Sequence, residues 1–125
     1  MNIKALYPVI CVDKPMESAK FFIEILGFKA IFEQDWYVHL LSSDNGQQIG
    51  LVYTSHESVP VGHVSAVQGC FVTIEPENID ETWNLIKDKV EILHPLKTES
   101  WGQKHFICLA PGNIMIDFVE MVNDI

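Results

Sequence analysis

The 125-residue chain is predicted to be an α+β protein built from two βαβββ modules that form a curved, mixed sheet. Three observations lead there. A strand–helix–strand pattern over residues 7–53 returns over residues 69–120, with Val12 falling on Ile74 and Phe28 on Val90, each 62 positions apart. Each copy switches from apolar alternation to helical spacing and back. The composition, 48% hydrophobic and 20% charged, is that of a globular chain long enough to bury most of its apolar surface. One domain is expected, with module 1 at 1–54, a linker at 55–68 and module 2 at 69–125. Farther along the repeat the offset grows, so that His39 falls on His105 and Gly46 on Gly112. A duplicated half-barrel leaves a cleft between its copies, and function is expected there.

The elements follow from local chemistry. Residues 5–12 alternate and then run apolar, as a half-buried strand does. Asp13 can cap the following helix, with Pro15 in the first turn, where a missing N–H costs little. Met16, Ala19, Phe22 (or Ile23) and Leu26 share one helical face, and Gly27 suits a left-handed cap. Strands are expected at 28–34, 36–42 and 48–54, the last two joined by the turn Asp44-Asn45-Gly46. The second copy opens with a strand at 69–75. Asn78 and Glu81 resemble a capping box, and Ile79, Trp83, Ile86 and Val90 mark the buried helix face. Strands near 90–94, 104–109 and 114–122 complete it, with Ala110-Pro111-Gly112-Asn113 as the last turn.

A net charge of −9 argues against nucleic acid and against acidic membrane surfaces as partners. No apolar run approaches the ~20 residues of a membrane helix. Met1-Asn2-Ile3-Lys4 lacks the features of a signal peptide. Cys11, Cys70 and Cys108 are odd in number, far apart and set in apolar patterns. They read as buried thiols in a reducing compartment, so a cytoplasmic location is expected.

Val12-Asp13 leading to Ser18, Phe21-Phe22 and Leu26-Gly27-Phe28 in the first half carry a likeness to a known family. Trp101-Gly102-Gln103-Lys104-His105-Phe106 and Pro111-Gly112-Asn113-Ile114-Met115-Ile116-Asp117-Phe118 extend it in the second. In order, spacing and duplication they resemble the vicinal oxygen chelate superfamily of glyoxalase I, bleomycin-resistance proteins and extradiol dioxygenases. The resemblance implies a divalent metal held between modules by His, Gln or Glu on the first and last strand of each. Those places map here to Tyr7, Gly50, Gly69 and Asp117. Glycine has no side chain to coordinate an ion, and one carboxylate with one phenol falls short of a catalytic donor set. A one-residue slip offers Pro8, Ile49 or Cys70, and only the last could bind a metal. No metal and no other cofactor is therefore expected at these places.

A rearranged metal site is the alternative, with His39 and His105 facing each other and Asp117 beside them; a hydrogen-bonded strand histidine is the competing reading. His56 and His63, in the linker, are expected to be solvent-exposed, and His94, before Pro95, to be structural. Superfamily members that bind drugs without metal keep an aromatic cavity, and Trp36, Tyr37, Tyr53, Trp101 and Phe106 offer the rings, although strand aromatics commonly fill cores. Asp117 shares its face with Met115 and Val119, and can pair with a cationic ligand, His39, His105 or Lys104. A hydrogen-bonded relic of the ligand position is the other reading.

The resemblance thus implies metal-independent binding of an aromatic or cationic small organic molecule in the inter-module cleft, by Trp36, Tyr37, His39, Trp101, His105 and Asp117, in a homodimer. The alternatives are a divalent-metal lyase, isomerase or dioxygenase with one ion at a rearranged site, or a scaffold whose cleft is vestigial. Enzymatic activity is left open, with binding favoured.

Overall fold

The computed structural model describes residues 1–42, 46–60 and 69–122. Two compact units divide the chain, Met1–Gln68 and Gly69–Ile125.

In unit 1, β1 (Val9–Val12), β2 (Lys29–Glu33), β3 (Tyr37–Leu41) and β4 (Gln48–Tyr53) form a sheet in the order β1-β4-β3-β2. β1 runs parallel to β4, and the other pairs are antiparallel. Side chains alternate across a strand. Val38, Leu40, Ile49 and Leu51 therefore share one face, and all four are buried. The neighbours Tyr37, His39, Gly50 and Val52, with Val9 and Cys11, take the opposite, open face.

The helical segment begins as α1 (Pro15–Lys20) and widens into a π-helical turn at Phe21–Ile25, where Leu26 N–H bonds back to Phe21 O. Phe21 and Phe22 both turn inward there, while upstream Pro15, Ser18 and Ala19 form the buried side of α1 and Met16 is 45% exposed. The expected face thus starts at Pro15 rather than Met16, and Ala19 and Phe22 keep their places on it. Gly27 adopts φ 77°, as a left-handed cap requires. Asp13 does not cap. Lys14 occupies that position without a side-chain bond, while Asp13 accepts from Thr54.

Unit 2 repeats the plan. β5 (Val72–Ile74), β6 (Glu91–Thr98), β7 (Gln103–Ala110) and β8 (Ile114–Met121) follow the order β5-β8-β7-β6. α2 (Ile79–Ile86) starts at Asn78, whose side chain accepts from Glu81 N–H at 3.1 Å. Phe106, Cys108, Ile114, Ile116 and Phe118 form the buried face beneath α2, and Trp83 packs edge-on against Phe106 at 5.0 Å. Complete burial of such side chains is worth ~1.5–3 kcal/mol each. His105, Ile107, Met115, Asp117 and Val119 turn to the open face.

Four elements differ in extent from expectation, the first being α2, which ends at Ile86 and so leaves Val90 beyond the helix. The first strand is paired only from Val9, the fifth only from Val72, and β6 runs on to Thr98. Asp44 and Asn45 of the expected hairpin turn, and residues 61–68 of the linker with His63, lie outside the described residues; Gly46 has φ 71°. Among the described residues no helix is long and apolar enough to cross a membrane.

Candidate functional site

The open face of the unit 1 sheet carries a trough of about 660 Å³, within the range of small-molecule sites. Its floor comes from β1, β3 and β4 through Val9, Cys11, Tyr37, His39 and Val52. Tyr7, Ile31, Phe32, Trp36 and Ser58-Val59-Pro60 supply the walls. None of these residues carries a carboxylate, ammonium or guanidinium group, so ring faces and a few hydrogen-bonding groups would do the recognition.

The rings form one connected set. Trp36 stacks on His56 at 3.8 Å between centroids and 9° between planes, and lies 5.6 Å from Tyr37. Phe32 stands 5.9 Å from Tyr37. Tyr7 meets His39 edge-on at 4.5 Å. His39 is fixed at both nitrogens: Nε2–H donates to Gln48 Oε1 at 2.6 Å, and Nδ1 accepts from the Tyr37 hydroxyl at 2.7 Å. Burial first, and then the neighbouring Tyr7, push the Tyr37 phenol above its ordinary 10.0, so the group stays a donor.

Gly50 is central to this floor. It pairs with both Val9 and His39, and a Cβ there would collide with the Tyr37 hydroxyl while lying 3.0 Å from Tyr37 Cζ and 3.1 Å from Val9 Cγ2. The space of the expected metal-ligand side chain is thus filled by a tyrosine that holds His39. Tyr7 is half-exposed above His39. Gly69 lies before β5 at φ 72°. Asp117 is engaged by His105, whose Nδ1–H donates to Oδ1 at 2.8 Å. These four positions do not fit a metal.

On unit 2's open face the structure gathers His105, Asp117 and His94, whose ring lies 4.8 Å from that of His105. Trp101, 57% exposed in the β6–β7 turn, stands 6.4 Å from His105 and donates Nε1–H to Gln103. The expected site residues therefore sort by unit: Trp36, Tyr37 and His39 in the trough, Trp101, His105 and Asp117 on the second sheet.

Several expectations are corrected. Phe106 belongs to the core under α2, because its parity on β7 matches Cys108. Lys104 points to that same side and pairs with Asp80 at 2.8 Å, leaving Asp117 to His105. Cys70 is exposed and Cys11 half-buried; only Cys108 is fully buried, and burial pushes its thiol up to about 11. His56 is half-buried against Trp36. His39 pairs with Gly50 whereas His105 pairs with Val119, two residues past Asp117. The matches His39 with His105 and Gly50 with Asp117 therefore cannot both hold.

Sequence reasoning missed Phe32, Val59 and Pro60 in the trough, His56 stacked on Trp36, and His94 on the second sheet with Glu99 in the turn that follows β6. Alternation from Ala30, opposite Leu40, would turn Phe32 to the core side; the bulge between Ala30 and Phe32 pairs it with His39 instead, on the trough face, and nothing local marked His56 as packing back on Trp36.

Two successive βαβββ units, each with an open-faced mixed sheet, define a class of proteins. The model of the Glyoxalase/Bleomycin resistance protein/Dioxygenase superfamily matches residues 4–118, and the chain belongs to that superfamily. A bleomycin resistance protein from Staphylococcus aureus is 29% identical over 126 residues, covering 92% of this chain and 95% of its own. Among solved structures, a superfamily member from Sphaerobacter thermophilus superposes with a TM-score of 0.75 at 20% identity, covering 94% of this chain and 98% of its own. The bleomycin-binding protein of Streptomyces verticillus, solved with copper(II)-bleomycin, does so with a TM-score of 0.67 at 15% identity and 99% coverage of both. Likeness at that level shows the fold.

Proposed function

We propose that this chain binds a planar aromatic small molecule, neutral or carrying delocalised positive charge, in the unit 1 trough without help from a metal ion. The observation that carries this reading is the trough itself: five rings on one sheet face around a volume fit for a drug-sized ligand, with no charged side chain. Ring faces attract cations as well as flat apolar surfaces, and the net charge of −9 favours a positive ligand over an anionic one. The filled Gly50 position supports metal independence, since a ligand side chain there would need the space Tyr37 holds. The likeness to a bleomycin resistance protein supports binding as the activity, and bleomycin belongs in the first test.

A thermal-shift screen of bleomycin, flat heteroaromatics and organic cations, in buffer containing EDTA, tests the reading. A ligand at a hundred times its Kd stabilises by ~2.7 kcal/mol, which raises Tm by roughly 10 °C in a domain of this size. No shift from any aromatic compound, or a shift that EDTA removes, would count against it. A homodimer in the cytoplasm belongs to the same proposal, supported by the exposed apolar residues Ile3, Leu6 and Val9 and by three unpaired cysteines. Light scattering on eluting protein tests the dimer.

A further inference from the structure

We propose that unit 2 holds a divalent transition-metal ion between His94, Glu99 and His105, at places distinct from the superfamily's ligand positions and independent of the trough. One donor atom from each residue lies within 4.8 Å of the other two. Ligands about 2.1 Å from a tetrahedral centre stand roughly 3.4 Å apart, so the side chains need to close by up to about 1.4 Å.

The backbone is arranged to make this cluster. Ile92 pairs with Cys108, on the face under α2. Simple alternation would set His94 opposite Phe106, in the core. A bulge between Ile92 and His94 instead pairs His94 with Ile107 and turns its ring to the open face, beside His105. A second irregularity before Lys97 leads into the turn that carries Glu99. Such bulges commonly re-aim side chains beside sites.

The donors are also poised. His105 gives Nδ1–H to Asp117 at 2.8 Å, and His94 gives Nδ1–H to the Pro95 carbonyl at 2.7 Å. Both rings therefore keep their lone pair on Nε2, in the manner of metal-bound histidines held by an oxygen behind them. His105 Nε2 and Glu99 Oε1 are buried without a hydrogen-bond partner among the described residues, and each side chain is only 9% exposed. An ion would satisfy both. The Lys97 ammonium comes within 3.4 Å of Glu99 Oε1 but lacks hydrogen-bond alignment and is largely exposed, so it competes weakly for that carboxylate. Two imidazoles with one carboxylate select Zn(II), Co(II), Ni(II) or Cu(II) over Mg(II) or Ca(II).

Untagged full-length protein, stripped with chelator and dialysed, is titrated with Zn(II) by calorimetry and with Co(II) by visible absorption. One ion per chain is expected, with cobalt d–d bands. His94→Ala and Glu99→Gln should each weaken binding about tenfold or more, Lys97→Ala should strengthen it, and His56→Ala should leave it unchanged. Absence of stoichiometric binding would overturn the proposal, as would equal affinity in the wild type and Glu99→Gln, an isosteric change in a turn that leaves folding intact. The EDTA-resistant ligand shift of the trough is read separately, so either proposal can fail alone.

Discussion

Replacing Gly50 by alanine probes the floor of the trough directly. The backbone there has no need of glycine for conformation; only space is at issue, because a new Cβ runs into the Tyr37 hydroxyl and presses on Tyr37 Cζ and Val9 Cγ2. Overpacking of this kind costs ~1–3 kcal/mol, partly offset by the ~0.5–1 kcal/mol that alanine gains over glycine in a strand. A net loss of about 1–2 kcal/mol is expected. Tyr37→Phe loses the hydroxyl bond to His39 Nδ1, a cost of about 1 kcal/mol. Phenylalanine also removes the atom that the alanine methyl would strike. The double variant Gly50→Ala/Tyr37→Phe should therefore lose about 1 kcal/mol less than the sum of the single losses. Urea unfolding of all four proteins, with slopes compared to confirm a common denatured state, measures the coupling. Additivity within ~0.3 kcal/mol, or a Gly50→Ala variant more stable than wild type, would refute the claim that Tyr37 occupies the ligand place.

Other consequences can be checked with the same tools. The Cys108 thiol ionises near 9.0 when exposed and near 11 in the fold, so its contribution is intact below pH 9 and is lost as pH rises to 11. The difference in stability between wild type and Cys108→Ala should shrink across that window by about 2–3 kcal/mol, as denaturation at fixed pH values would report; a constant difference would mean the thiol is not shielded. Asn78→Ala should cost ~1 kcal/mol through loss of the bond to Glu81 N–H, whereas Asp13→Ala should cost much less, since Asp13 caps nothing. Phe22→Ala, at a position 1% exposed beneath the unit 1 sheet, should cost ~3–5 kcal/mol.

The repeat made the architecture legible because each module needs the same three signals: an apolar strand, a capped amphipathic helix and turn residues. Asn78 and Gly27 acted as their chemistry dictates. Face assignments were also within reach. The alternation that separates Cys108 from His105 puts Phe106 with Cys108, and so inside the core rather than in a cavity. Other features depended on irregularity that alternation does not encode. The bulge after Ile92 reverses the face of His94, the bulge before Phe32 turns that ring to the trough, and the π-helical turn at Phe21–Ile25 sends both Phe21 and Phe22 inward. His56 reaches Trp36 from a segment with no periodic pattern, through tertiary packing alone. The Gly50–Tyr37 relation was half visible: the glycine signals a missing side chain, but only the fold shows what fills its place.

Calorimetric titration of the best aromatic ligand in EDTA, against wild type and Trp36→Ala, bears most directly on how this chain works. Saturable binding that chelator leaves intact and that Trp36→Ala weakens by about tenfold, consistent with a lost stacking partner of ~1–1.5 kcal/mol, is the expected result. Binding that vanishes with EDTA, or that is indifferent to Trp36, would contradict it.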